Sequence, residues 1–258
     1  MSVYKASRYL PFAIESMLAQ TFTDFEFIII NDASPDDSGD IARRYAEQDR
    51  RIKIVDNEKN IGLTRSLNKG IVIAKGEYIA RLDADDISVP DRLTEEVIFL
   101  DANQDVALVG SWAGIIDANN NVTRSVQYPA TDDSIKRALI KYNPFFHSSI
   151  LVRRSVLEAI GGYDERWRYA QDYELFLRIS RLYKLANIPK KLILYREVPE
   201  SITAAKNRSQ IGYVLRAKWK SLTSGQYPFY KAIYLIPTLV TWILPVSLKR
   251  YIKNIIKK

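Results

Sequence analysis

Apolar residues recur along the first hundred positions in two alternating rhythms. Positions 9–18 repeat them at helix spacing, with Pro11 where a first turn tolerates it. An apolar run over 25–30 has the signature of a strand buried on both faces. It ends in Asn31-Asp32-Ala33-Ser34-Pro35-Asp36-Asp37-Ser38, an acidic, turn-rich stretch able to cap a helix over 41–47. A strand over 52–55, a helix over 63–74 with Gly76 as its C-cap, and a strand over 78–82 follow. Strands alternating with helices predict an α/β fold, mostly a parallel sheet flanked by helices. Beyond Pro90 the pattern loosens. It predicts helices over 92–100, 135–141, 155–160 and 173–183, and strands over 106–116, 147–152 and 192–195. Asp117-Ala118-Asn119-Asn120-Asn121 reads as a hairpin turn, and Gly161-Gly162 closes the 155–160 helix.

The strand over 78–82 opens into Arg81-Leu82-Asp83-Ala84-Asp85-Asp86. Three carboxylates in four residues repel one another unless something positive sits among them. A hard divalent ion, Mg²⁺ or Mn²⁺, takes carboxylate and substrate phosphate oxygens together. In open α/β sheets ligands bind at that strand edge. A solvated acidic turn capping the next helix is the plainer alternative.

Composition narrows the classes. The 258 residues are 47% hydrophobic and 26% charged, which suits one large α/β domain with an appendage. Without cysteine there are no disulfides or Cys-based zinc sites, and the single His147 excludes a multi-His metal centre within the chain. Residues 201–258 carry eleven Lys/Arg and no Asp/Glu, while the first 200 hold 27 basic and 30 acidic residues. A basic character confined to the C-terminal part argues against nucleic acid and for a local anionic surface, most simply phospholipid. Positions 232–246 are uncharged but, with Pro237 and Pro245, fall short of the ~20 residues needed to span a bilayer. Leu248, Tyr251, Ile252, Ile255 and Ile256 then form one helical stripe among Lys249, Arg250, Lys253, Lys257 and Lys258. This composition predicts an interfacial amphipathic helix; a helix packed on the domain is the alternative.

The motifs Tyr9-Leu10, Gln20-Thr21, Asn31-Asp32-Ala33-Ser34, Asn60-x-Gly62, Asn68-x-Gly70-Ile71, Gly76-Glu77-Tyr78-Ile79 and Leu82-Asp83-Ala84-Asp85-Asp86 stand in one order. They continue through Pro90-x-Arg92-Leu93, Gly161-Gly162-Tyr163-Asp164 and Gln171-Asp172-x-Glu174-Leu175-x-Leu177-Arg178. Together they resemble the family 2 glycosyltransferases of the GT-A fold, over residues 1–203. The resemblance implies a donor half at 1–105 and an acceptor half at 106–203, while the composition of 204–258 predicts a membrane-associated helical tail. It implies an inverting, metal-dependent hexosyl- or N-acetylhexosaminyltransferase, using a nucleotide-sugar donor, a UDP-sugar by preference, with Mn²⁺ or Mg²⁺. Its acceptor would be a lipid-linked saccharide of bacterial surface polysaccharide, and its place peripheral, on the cytoplasmic face of the plasma membrane. By the same resemblance Asp85 is the direct metal ligand, with Asp83 near the ribose or a metal-bound water. Asp32 binds the base flanked by Tyr4, and Asp172 is the general base.

Trp167 and Tyr169 either stack on a sugar ring or pack in the core. His147 is either a structural hydrogen-bonder or a neighbour of the acceptor. Arg65 and Lys69 either approach the diphosphate or form a solvated helix face. Two departures stand out: the family's frequent Glu-Asp is Gln171-Asp172 here, and its Tyr-Arg-x-His is Tyr195-Arg196-Glu197-Val198. Met1-Ser2-Val3-Tyr4 resembles the end of the family's first strand and is shorter than the usual five or six residues, so about ten upstream residues are expected to complete a buried strand. The alternative to a working transferase is an N-terminally truncated, non-catalytic paralogue that binds membrane or a partner.

Overall fold

The computed structural model describes residues 1–198 and 208–244. Strands and helices alternate through the first half: β1 (Ser2–Val3), α1 (Leu10–Leu18), β2 (Phe27–Asn31), α2 (Ser38–Gln48), β3 (Ile52–Asp56), α3 (Leu63–Ile73) and β4 (Tyr78–Ala80). The second half runs β5 (Ile87–Ser88), α4 (Arg92–Ala102), β6 (Val106–Ile116), β7 (Val122–Val126), α5 (Asp132–Leu139), β8 (Leu151–Arg153), α6 (Arg154–Ile160), α7 (Gln171–Leu182) and β9 (Lys184–Arg196). Two further helices are described, α8 (Arg208–Thr223) and α9 (Ile236–Ile243), with a 3-10 turn, Phe229–Leu235, between them.

The parallel pairing expected from the alternation forms a three-stranded sheet, β1-β2-β3. The apolar β2 is its centre, and α2 and α3 both pack on it. The second sheet, in order β4-β8-β6-β9-β5, is mixed. Its longest pairing, β6 with β9, is parallel, and the short strands around it pair antiparallel. β7 returns along β6 through the expected 117–121 turn. Residues 81–86 join β4 to β5, the first and last strands of this order, and so carry the acidic cluster across the sheet's end.

Three expectations need correction. The last strand begins at Lys184 and not at 192, because β9 contains a bulge. Ile188 pairs with Ser111 and Lys191 with Trp112, so Pro189 and Lys190 stand outside the ladder. A proline has no N–H to donate and is tolerated at such a break. The run over 147–152 is a 3-10 turn, His147–Ser149, before β8 begins; there the Ser148 hydroxyl turns to the acidic turn at Asp83 and Asp86, and that of Ser149 to the Phe146 carbonyl. Gly76 is not a C-cap: α3 ends at Ala74 in extended backbone.

Several of the motif residues act as ties. Gln20 donates to Ser16, Ser88 and Val89 and accepts from the Leu93 N–H at 3.0 Å. Asn68 makes a two-way bond with the backbone of Tyr163, at 2.8 and 2.9 Å. Gly162 is required there, for a Cβ would meet Asn68 Oδ1 at 2.8 Å and its φ is +64°. Arg92 is wholly buried; its Nη2 donates to the carbonyls of Arg81 and Ile150, pinning the end of β4. Helix α8 puts Ile211, Ala217 and Leu222 among the buried residues, the last two in the same core as α5, α6 and α7. The stripe over 248–256 lies outside the described residues.

Beyond the short β1 pairing, a cavity of about 870 Å³ separates β2 from β4. Ile28, Ile30, Leu67, Ile79 and Leu82 line it, with the Met1 amine, whose pKa falls to about 5 through burial and then Arg81. None of Asp83, Asp85, Asp86 or Asp172 faces this cavity, so it lies behind the acidic turn.

The Arg92–Glu96 pair is fully buried at 3.0 Å, and burial, against the pull of Arg92, pushes Glu96 up to about 7. Arg92→Met strands that carboxylate and is expected to cost about 3–5 kcal/mol in urea unfolding at neutral pH. The loss should be largest above pH 7 and shrink as pH falls below about 7, where Glu96 is protonated in both folded proteins and no longer needs Arg92. An Arg92→Met protein as stable as wild type at pH 8 would refute the tie.

Candidate active site

The three carboxylates of the acidic turn converge. Asp83, Asp85 and Asp86 each bring an oxygen within 4.8 Å of the others. Their surroundings divide the work. Asp86 is buried and committed: its Oδ1 accepts the Arg196 N–H at 2.8 Å and its Oδ2 meets the Ser148 hydroxyl. Burial, then the charges of Asp85 and Asp83, raises its pKa well above the carboxylate range. Asp83 is pushed up by burial, but the adjoining Arg81 guanidinium outweighs this and holds it low. Asp85 has no such partner. Burial and then Asp83 push it up to about 6, and no side-chain donor among the described residues reaches its carboxylate. Three converging oxygens, one of them unpartnered and unsettled by its neighbours, form a donor set that fits a hard divalent cation.

Counter-charges and ties come from distant segments. Arg81 is buried; its Nη1 donates to Ser148 Oγ at 3.0 Å. Ser148 Oγ also accepts from the Asp83 N–H and lies 3.1 Å from Asp83 Oδ2. Arg196 donates to the carbonyls of Asp85 and Asp117, each at 2.7 Å, and lies 4.2 Å from the ring centre of Tyr9. Arg81, Ser148 and Arg196 were not among the expected site residues. Arg81 abuts the cluster in sequence, and Arg196 stands in one of the two motifs noted as departures.

Asp172 is the second residue of α7, whose N-cap Ala170 is left-handed at φ 53°. Asn143 Nδ2 donates to Asp172 Oδ2 at 2.8 Å. Burial raises the pKa of Asp172, and the charges of Arg81 and Asp83 both act on it, so the acidic turn and α7 share one field. Asn143 too was missed, though it begins the segment containing His147. His147 Nε2 lies 2.6 Å from the Tyr163 hydroxyl, and burial, then Arg81, drives the imidazole to its neutral form.

The remaining expected residues divide. Asp32 is 1% exposed. Its oxygens accept from Asn57 and from the N–H groups of Ile61 and Gly62, so it holds the 57–62 loop. Tyr4 is exposed beside Lys5. Trp167 is a correction: it is 1% exposed, under Tyr213 of α8 and bonded to Asp164, which leaves no face for a sugar. Tyr169 is half-buried and also meets Tyr213. Arg65 pairs with Glu165, and Lys69 bonds Asn57.

Similarity to known proteins agrees with this geometry. The profile of Glycosyl transferase family 2 matches residues 1–161. An uncharacterized glycosyltransferase of Methanocaldococcus jannaschii is 34% identical over 86% of this chain and 78% of its own length. The O-antigen biosynthesis glycosyltransferase WbnJ of Escherichia coli is 34% identical over 69% of each chain. Among solved structures, the mannosyltransferase PcManGT of Pyrobaculum calidifontis, in complex with GDP-Man and Mn²⁺, superposes with a TM-score of 0.70 at 18% identity. The match covers 98% of this chain and 77% of that one. S. aureus TarS gives a TM-score of 0.69 at 18% identity, and this chain spans 42% of it. The fold is therefore that of the GT-A transferases, and the chain belongs to glycosyl transferase family 2.

Proposed function

We propose that the protein is an inverting transferase that moves a hexosyl or N-acetylhexosaminyl group from a nucleotide sugar to a hydroxyl of a lipid-linked saccharide. The observation that carries this reading is the convergence of Asp83, Asp85 and Asp86 within 4.8 Å, in a field that reaches Asp172. A UDP-sugar is the donor taken here, and surface polysaccharide the product class; the O-antigen relative supports the second. A Mn²⁺ or Mg²⁺ ion held by Asp85 with Asp83 would neutralise charge on the departing diphosphate.

The chain's own residues supply the rest. Arg81 keeps Asp83 ionised and in position. Arg196 and Ser148 hold Asp86, and with it the turn that presents Asp85. Asp172 takes the acceptor hydroxyl's proton on a carboxylate oxygen, and the amide of Asn143 fixes its Oδ2. Burial raises the basicity of Asp172, which suits proton abstraction near neutral pH. Tyr4 flanks the base of the donor, and Asp32 serves it through the loop that it holds, at the C-terminal end of β2. Tyr169 borders the acceptor. His147, neutral and bonded to Tyr163, lines the same side without adding charge. This work is assigned to the cytoplasmic face of the plasma membrane, with the protein peripheral.

Asp85→Asn is expected to abolish transfer. With wild type, Mn²⁺ plus a nucleoside diphosphate should raise the melting temperature, and the variant should lose that shift. Full transfer activity in excess chelator would overturn the metal assignment.

Asp172→Asn is expected to lower kcat by about 10² to 10⁴ and leave the nucleotide-dependent melting shift intact. In wild type, kcat should rise with pH as Asp172 ionises, through a value above that of an ordinary aspartate. Wild-type kcat in the variant, or the same rising limb in its residual activity, would place the base elsewhere.

A further inference from the structure

Among the described residues, one face of the C-terminal part is bare. The 3-10 turn Phe229–Leu235 and α9 expose Phe229, Tyr230, Ile233, Ile236, Val240 and Ile243, by 47% to 77% of their surfaces. Neither element contributes a buried residue. Contiguous exposed apolar surface of this kind marks a protein or membrane interface.

Charge decides the occupant. Residues 201–258 hold eleven Lys/Arg and no Asp/Glu. Beside α9, an open pocket of about 500 Å³ is lined by Arg208, Ser209, Gly212, Tyr213, Arg216 and Trp242. Arg208 lies 5.7 Å from the ring centre of Trp242 and donates to its carbonyl at 3.2 Å. Arg216 lies 5.0 Å from the ring centre of Trp167. Neither guanidinium has a carboxylate partner among the described residues. A second copy packing the same face against itself would oppose cation to cation. An anionic bilayer supplies both complements at once, acyl chains for the bare row and phosphates for the arginines.

We propose that this face docks on an anionic phospholipid bilayer, with Phe229 to Ile243 at the acyl boundary and Arg208 and Arg216 at lipid phosphates. Tyr213 connects the docked face to the acceptor loop, touching Trp167 and Tyr169 at 5.6 and 5.8 Å between ring centres. That loop leads directly into Asp172, so docking turns the acceptor side of the site towards the bilayer. The meaning of that orientation rests on the transferase reading; the docking itself does not.

The test is flotation of the full chain with phosphatidylglycerol-containing and with pure phosphatidylcholine vesicles. Wild type should float with the anionic vesicles and release at high salt. Ile233→Ser/Ile236→Ser/Val240→Ser should lower the partition by about tenfold or more. Arg208→Gln/Arg216→Gln should weaken binding about fivefold per arginine, on anionic vesicles alone. Lipids brominated in the acyl chain should quench Trp242 in a Trp219→Phe background, which reports insertion directly. Equal partition of wild type and the triple variant, or equal binding to both vesicle types, overturns the proposal. So does a concentration-dependent dimer abolished by the triple variant in a protein that binds no vesicles. The substituted side chains are exposed, so folding should survive, and the nucleotide–metal melting shift is read on every variant. A retained shift with lost flotation supports docking as a separate property. Flotation as expected in a protein without that shift sinks the transferase reading alone.

Discussion

Three carboxylates forced into one small volume are the condition that the rest of the structure serves. Asp83, Asp85 and Asp86 would separate if the turn were free, for each raises the cost of ionising its neighbours. The fold prevents this by unequal treatment. Asp83 receives a buried guanidinium, Asp86 is enclosed by a hydroxyl and a backbone N–H, and Asp85 is left as the member with unmet demand. Unequal neighbours turn a repulsive cluster into a receptor for positive charge. The structural ties around it have the same purpose: Arg92 pins the strand that leads into the turn, and Gln20 fixes the helix that leaves it.

The acidic turn was legible because its residues are contiguous and follow a strand. The means of holding it were not, because they come from far along the chain. Ser148 is 65 residues from Asp83, and the Arg196 N–H is 110 from Asp86. Local pattern carries no information about such separations; only the family-like spacing of motifs pointed to these regions. The same limit explains Trp167. An aromatic residue in a loop beside the candidate base reads equally as a sugar platform or a core side chain, and the choice was made by a helix that begins about forty residues later and covers its ring. β9 was half-hidden for the opposite, purely local reason: Pro189 and Lys190 break the strand pattern, and a bulge carries the ladder past them.

The resemblance suggested a boundary near residue 204, yet the packing is continuous across it. Ala217, Leu222 and Tyr227 share a core with α5, α6 and α7, and Lys218 is buried with its ammonium on the carbonyls of Lys141 and Tyr234. Burial lowers that lysine to about 8, so even a cation of this basic segment is used in joining it to the acceptor half. Electrically the molecule is nevertheless divided, with its carboxylates in the first 200 residues and an acid-free, cationic remainder.

Arg196 has a consequence for variation in this family member. Its guanidinium holds the Asp85 carbonyl, the Asp117 carbonyl and Asn120 Oδ1, the last two in the hairpin turn between β6 and β7. Asn120 is itself left-handed, at φ 67°, so the turn has little slack. The hairpin and the acidic turn are thus geared together through a single side chain. An insertion at 117–121 would be transmitted to Asp85 before it touched any sugar. Lengthening this hairpin, by drift or by engineering, therefore calls for a matching change at position 196.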